Sequence, residues 1–332
     1  MSYYLSSFSD LDPYSLSLFL SYCIKKESPS PSRQSLIKLF TLCQKGCLDI
    51  PQLRQHLKHV WLACNKRLSL HWIDYNNLLQ PSIIRQQHGI FSAEHDSAVS
   101  SLRANGFYVF SKPLPHAFLS PISKLVFNSC LNPEFPGQSF HSHISVHRRD
   151  LKIYNHVSRF FYPPAVLSSP IIRQLAFEPS LLSIVKSYLC TKRFSVKSTG
   201  WLSVGRSNLS LSELSANAQL FHIDLDALRF LKIFIYLSDV TLSTGPHVYV
   251  STSNLPFSNP QNILSSLQPS LRITDDKLLQ LFDYNHFMTH LGSAGTVIIE
   301  DTSGFHKGLP LHYGSSRDLL SFVYESGRLS NA

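Results

Sequence analysis

The chain has 332 residues, 43% of them hydrophobic and 15% charged, with Lys and Arg outnumbering Asp and Glu by 30 to 21. Length and apolar content supply a sizeable core and exclude a disordered or fibrous chain. The formal charge of +9 suggests an anionic partner, and the 16 histidines raise the question of metal chemistry.

No apolar run reaches the roughly 18 residues that span a bilayer. The start carries Asp10 and Asp12 and no basic stretch ahead of its apolar residues, so a secretory leader is not expected. The six cysteines (Cys23, Cys43, Cys47, Cys64, Cys130, Cys190) form no dense framework and read as reduced thiols of a cytoplasmic protein.

Residues 1–93 read as a helical region of unassigned role. Apolar positions recur at helical spacing over 14–24, 36–43 and 53–62, with breaks at Ser28–Ser32 and near Pro51. Cys43, Cys47, His56, His59 and Cys64 lie close together, but Cys-x3-Cys is not a usual zinc knuckle and the pattern around it is helical. Packed helix faces are the better expectation there.

A second region, 94–332, opens with a helix from Ala98 that stops at Gly106 and runs into a short strand over Phe107–Phe110. Helices and Pro-rich loops mix over 114–190. Strands then dominate: 194–204, 218–223, 230–237, 247–250, 296–300 and 319–324. Many short strands late in the chain favour an α+β protein with a β-sandwich or jelly-roll core over a parallel sheet.

The chemistry concentrates in this second region. In Gln219-Leu-Phe-His222-Ile-Asp224 a strand would place His222 and Asp224 on one face. Alone, His-x-Asp is a weak signal. A strand, a turn and a histidine follow near the C-terminus, in Gly295-Thr-Val-Ile-Ile-Glu300-Asp301-Thr-Ser-Gly304-Phe305-His306. Two His and one carboxylate make the facial triad of non-haem Fe(II) oxygenases, which leaves coordination positions open. Arg317 follows at the start of the next strand, and a planar guanidinium suits a carboxylate such as the far end of 2-oxoglutarate.

Taken together, Gln219–Asp224, the run LKIFIYLSDV at 231–240, Gly245-Pro246, 294–308 and Arg317 resemble the Fe(II)/2-oxoglutarate-dependent dioxygenases of the phytanoyl-CoA dioxygenase-like family. Residues 97–110 also resemble the usual start of that catalytic domain. The resemblance implies a double-stranded β-helix (jelly-roll, cupin-like) core with flanking helices. It implies Fe(II) held by His222, Asp224 and His306, and 2-oxoglutarate as cosubstrate. Three further cosubstrate contacts are expected from Tyr236, Lys232 and Gln219. Tyr236 precedes Leu-Ser-Asp, where related enzymes place a hydroxyl, and Lys232 shares its strand face. The family's Gly-Ser-His ending is replaced by Ser253-Asn254. The metal carboxylate, absent from related halogenases, is present as Asp224, which disfavours halogenation.

Other histidines have weaker claims. His141, His143 and His147 alternate without a carboxylate. His286 and His290 fall at i, i+4 and are expected on a helix face. Asp226 could compete with Asp224 for the metal. No Walker loop, nucleophile elbow or dinucleotide fingerprint is present.

The expected function is therefore hydroxylation of a C–H bond in a small molecule, using dioxygen. The alternatives are a catalytically silent jelly roll binding an anionic partner such as nucleic acid, which is disfavoured, and a metal-dependent isomerase that leaves Arg317 unexplained. The charge is uneven: residues 141–206 carry ten basic side chains against two acidic, while residues 207–332 carry seven against eleven. If the basic segment lines the cleft mouth, an anionic substrate is expected.

Overall fold

The computed structural model describes residues 13–27, 31–44, 50–64, 67–68, 70–72, 87–135, 144–191, 194–207, 210, 213–214, 218–256, 263 and 271–328. Three helices come first: α1 (Pro13–Lys26), α2 (Pro31–Gln44) and α3 (Ile50–Ala63). Proline opens α1 and α2, where its missing N–H costs no helical hydrogen bond. Cys47, His141 and His143 lie outside the described residues. Among the described ones, His56 is half-buried, His59 exposed and Cys64 buried.

The remainder runs α4 (His95–Asn105), β1 (Phe107–Val109), α5 (His116–Phe127), β2 (Asn132–Pro133), β3 (Arg159–Phe161), α6 (Pro164–Leu167), α7 (Pro170–Ala176), α8 (Pro179–Leu189), β4 (Ser195–Val204), β5 (Phe221–His222), β6 (Ala227–Tyr236), β7 (His247–Val250), β8 (Arg272–Ile273), α9 (Asp275–Leu279), β9 (Phe287–His290), β10 (Val297–Glu300), β11 (His306–Gly308) and β12 (Ser316–Arg328). Helix α4 ends where Gly106 takes the left-handed conformation, at φ 87°.

The strands form two antiparallel sheets. The larger has the order β1-β10-β6-β12-β4-β3-β2 and the smaller β8-β5-β11-β7-β9. Alternation along each strand decides which residues face what. On β6 and β12, Leu231, Ile233, Ile235, Leu320, Phe322 and Tyr324 enter an apolar core with α4, α5, α7 and α8. The alternate residues Lys232, Phe234, Arg317, Leu319, Ser321 and Val323 face the other way and line a cavity shared with the smaller sheet. Two opposed sheets with a chemically mixed space between them form the jelly-roll core.

The smaller sheet follows the same logic. Phe221, Val248, Val250 and Ile273 share one apolar cluster with Leu16, Phe19, Leu36, Leu57 and Trp61 of the N-terminal helices. His222, His247, Arg272 and His306 line the cavity. Trp72 also donates its indole N–H to Ser326 at the end of β12.

Two expectations are corrected. The strand expected over 218–223 shrinks to Phe221–His222, because Ala218 sits at φ 56°, which no strand accommodates. The helix expected around His286 and His290 is a single 3-10 turn followed by β9, whose residues pair with β7, His290 opposite His247. Sheet pairing there overrides the i, i+4 spacing. Among the described residues, no helix is long and apolar enough to cross a membrane.

Candidate metal centre and its cavity

Strand pairing assembles the centre. β11 pairs with β5 with His306 directly opposite His222, and the Asp224 N–H donates to the Thr302 carbonyl ahead of β11. The two imidazole rings lie 4.2 Å apart between centroids. One ligand atom from each of His222, Asp224 and His306 falls within 4.8 Å of the others, the one such cluster among the described residues.

Both imidazoles are oriented by the same device. His222 Nδ1 lies 2.9 Å from the Leu220 carbonyl and His306 Nδ1 lies 3.0 Å from the Gly304 carbonyl. A carbonyl only accepts, so each Nδ1 carries the hydrogen and each Nε2 lone pair is left free. Those Nε2 atoms face Asp224, at 4.0 Å and 3.3 Å from its oxygens.

The electrostatics suit a cation. Burial works against charge on Asp224, but Lys232, His306 and His222 outweigh it and hold the carboxyl well below the usual range. Burial and the neighbouring His306 push His222 well below the usual imidazole value, so it is a neutral, ligand-competent base. Two imidazoles and a carboxylate, with both Nε2 atoms turned inward, fit a divalent transition metal.

The cavity beside the triad has a volume of about 540 Å³. Arg317 enters it from β12 and is only 6% exposed. Its Nη1 donates to the Gly245 carbonyl, and its Nε has no hydrogen-bond partner. Burial lowers its pKa, partly offset by Tyr236. No carboxylate among the described residues pairs with it, within the distances that define the other ion pairs.

The remaining expected residues divide. Gln219 lines the cavity, and its buried Oε1 has no partner. Lys232 also lines it, but its ammonium already meets Asp224 at 2.6 Å and Asp226 at 2.8 Å. Asp226 is therefore Lys232's second partner and stands outside the triad cluster. The Tyr236 hydroxyl donates to the His290 carbonyl and accepts from the His247 N–H, and burial raises its pKa to about 12. It lies near Arg317 but off the cavity wall.

Among the described residues of the basic segment, the basic side chains that line the cavity are Arg159 and Lys197. Arg159 is engaged by Glu134, Arg148 by Asp318, and Arg206 by the carbonyls of Val157 and Tyr154, while Arg149 is exposed. Three of its ten basic side chains are thus engaged internally.

Sequence reasoning missed two groups. His247 lines the cavity, with its Nε2 at 2.8 Å from the fully buried Glu300 and its ring stacked 5.6 Å from His306. Arg272 lines the cavity beside His222. The signal available for His247 was an imidazole at the start of an otherwise apolar run after Gly245-Pro246.

No sequence-family model matches the chain, and no curated protein is similar to it. Several solved structures share the fold's outline. The non-heme alpha ketoglutarate dependent epimerase SnoN from nogalamycin biosynthesis is 15% identical, with a TM-score of 0.47 over 70% of this chain and 84% of that one. HygX from Streptomyces hygroscopicus, crystallised with nickel, 2-oxoglutarate and hygromycin B, is 13% identical, with a TM-score of 0.44 over 69% and 86%. EvdO2 from Micromonospora carbonacea var. aurantiaca, complexed with 2-oxoglutarate, is 13% identical, with a TM-score of 0.45 over 71% and 92%. At such identities and scores, the functional reading rests on the site itself.

Proposed function

We propose that the chain is an Fe(II)- and 2-oxoglutarate-dependent dioxygenase that hydroxylates a C–H bond of a small molecule. The observation carrying this reading is the buried, carboxylate-free Arg317 guanidinium in the same cavity as His222, Asp224 and His306. A buried charge whose one bonded partner is a neutral carbonyl is expensive without a counter-ion, so an anionic ligand is part of the design. A diacid chelating the metal at one end and meeting Arg317 at the other satisfies both halves of the cavity.

His222, Asp224 and His306 would hold the metal; bound Fe(II) with 2-oxoglutarate supplies the activation of dioxygen that substrate oxidation needs. The chain's own residues do the rest. The Leu220 and Gly304 carbonyls keep both Nε2 atoms aimed inward. Lys232 steadies the Asp224 carboxylate. Arg317 receives the far carboxylate, with the Gly245 carbonyl fixing one arm of its fork. Phe234, Leu319 and Val323 limit water on the larger sheet's wall.

The test is succinate release by the purified chain supplied with Fe(II) and 2-oxoglutarate, screened against a metabolite extract, with isotopic dioxygen to trace oxygen into product. His222→Ala and His306→Ala should abolish turnover. Hydrogen bonds to a charged group are worth about 1.5–3 kcal/mol, so Arg317→Leu should raise KM for 2-oxoglutarate roughly 10- to 100-fold. Wild-type succinate release from the histidine variants would overturn the reading.

A further inference from the structure

A second guanidinium stands on the other side of the triad. Arg272 lies on β8, the edge strand of the smaller sheet, directly opposite His222 on β5. The next pair, Ile273 opposite Phe221, belongs to the outer apolar cluster. Strand alternation therefore turns Arg272 and His222 to the same inner face, with Cβ atoms about 5 Å apart. Arg272 Nη1 is buried without a hydrogen-bond partner, and no carboxylate among the described residues forms an ion pair with it.

The two guanidiniums enter the cavity from different sheets. Across the smaller sheet the order is Arg272 on β8, His222 on β5, His306 on β11 and His247 on β7. Arg317 reaches in from the larger sheet at the far end of this row. It is bonded to the Gly245 carbonyl before β7 and lies 3.4 Å from where a Cβ on Gly308 of β11 would sit. A diacid held at the triad would meet Arg317 on the Gly245 and Gly308 side of this row, whereas Arg272 stands on the β8 side. The cavity, at about 540 Å³, is within the roughly 300–1,000 Å³ range of pockets for drug-sized ligands, so it holds more than a five-carbon diacid.

We infer that Arg272 is the recognition group for an anionic moiety, carboxylate or phosphate, of the substrate that is oxidised, bound on the β8 side of His222. The inference rests on the reading of Arg317 as the cosubstrate anchor. It replaces the basic segment 141–206, whose Arg148, Arg159 and Arg206 are engaged internally, as the source of anion selectivity. Of the other cations in the cavity wall, Arg159 is engaged by Glu134 and Lys232 by Asp224 and Asp226, while Lys197 stands on β4 of the larger sheet; Arg272 is the one paired directly across from His222, and it feels Asp224 without forming an ion pair with it. A guanidinium presents two parallel N–H donors, which suits a planar carboxylate or two phosphate oxygens.

The test titrates the full chain calorimetrically with inorganic phosphate and, separately, propionate. Each titration is run metal-free and again with Mn(II) and 2-oxoglutarate bound; the metal-free arm excludes direct binding of the probe to metal. Wild type should bind at least one probe in both arms, and the preferred probe distinguishes phosphate from carboxylate. Arg272→Gln should weaken that binding at least tenfold and leave 2-oxoglutarate affinity within about twofold, whereas Arg317→Gln should do the reverse. Arg272→Lys, retaining the charge, should keep the wild-type melting temperature and part of the probe affinity, which separates recognition from misfolding. The inference is overturned if neither probe binds, if Arg272→Gln leaves probe binding unchanged, or if it weakens 2-oxoglutarate as much as Arg317→Gln does. Failure of wild type to take up 2-oxoglutarate would instead refute the dioxygenase reading, while the metal-free titrations still judge Arg272.

Discussion

At the scale of single residues, burial sets the protonation states and partners adjust them. Glu300 is fully buried between His247, at 2.8 Å, and His290, at 3.5 Å. Burial would raise its pKa, yet the two imidazoles and His306 hold it low. His290 shows the opposite outcome: burial lowers it to about 4 in spite of Glu300, so it is neutral in the fold. An unfolded histidine takes its proton near pH 6.5, so between about 4 and 6.5 the unfolded chain binds more protons than the fold. The stability contributed by neutral His290 is complete above pH 6.5 and is lost as pH falls toward 4, at most about 3 kcal/mol. His290→Gln should therefore flatten the decline in urea midpoint between pH 7 and pH 5; an unchanged decline would show that His290 is not its source. Glu300 acts in the next window down, contributing stability above its unfolded pKa and losing it as pH falls further.

At the scale of elements, β12 is the strand that joins core and cavity. It lies between β6 and β4 along almost its whole length, with Phe322 and Tyr324 in the helix-covered core and Arg317, Leu319 and Ser321 in the cavity wall. Truncating a large buried aromatic costs about 3–5 kcal/mol, so Phe322→Ala should lower the denaturant midpoint by that equivalent while leaving 2-oxoglutarate affinity of the folded fraction near wild type. The turn before β7 makes the complementary case. Gly245 is at φ 70°, and a Cβ there would lie 2.5 Å from the Leu309 carbonyl. Left-handed backbone costs an L-residue about 1–2 kcal/mol. Because the Gly245 carbonyl holds Arg317, Gly245→Ala should raise KM for 2-oxoglutarate severalfold beyond its effect on stability, which a titration of the folded variant would read.

At the scale of the whole molecule, the N-terminal helices and the smaller sheet share one apolar cluster. Phe305, next to His306, belongs to it, so the helices support the strand that carries His306 from behind. Trp61 is 1% exposed in that cluster. Trp61→Ala should cost about 3–5 kcal/mol, and with it metal affinity should fall, since the support of β5 and β11 loosens. Unchanged Mn(II) affinity in that variant would show that the helices only cover the sheet. Ligand linkage gives a further check: metal alone at a hundred times its dissociation constant should stabilise the fold by about 2.7 kcal/mol, read as a higher melting temperature that His222→Ala abolishes.

Local patterns carried much of this in one dimension. The apolar periods of α1–α3, the Gly106 stop and the strand runs of β6, β7, β10 and β12 were legible because helix periods and short apolar runs are local to a few neighbouring residues. His222, Asp224, His306 and Arg317 were legible as ligand types in a telling order, since donor chemistry belongs to the side chain itself. What the tertiary structure alone decided depends on pairing between distant segments. It placed His290 on a strand through β7, engaged Lys232 with two carboxylates, and engaged Arg159, Arg148 and Arg206 of the basic segment with Glu134, Asp318 and backbone carbonyls. It also set Arg272 across from His222 on a two-residue strand with no signature of its own, because an edge strand's identity lies in the partner that hydrogen-bonds it. The overall charge of +9 was visible from composition; which of its members remained free to meet a ligand was settled only by which acids folded against the others.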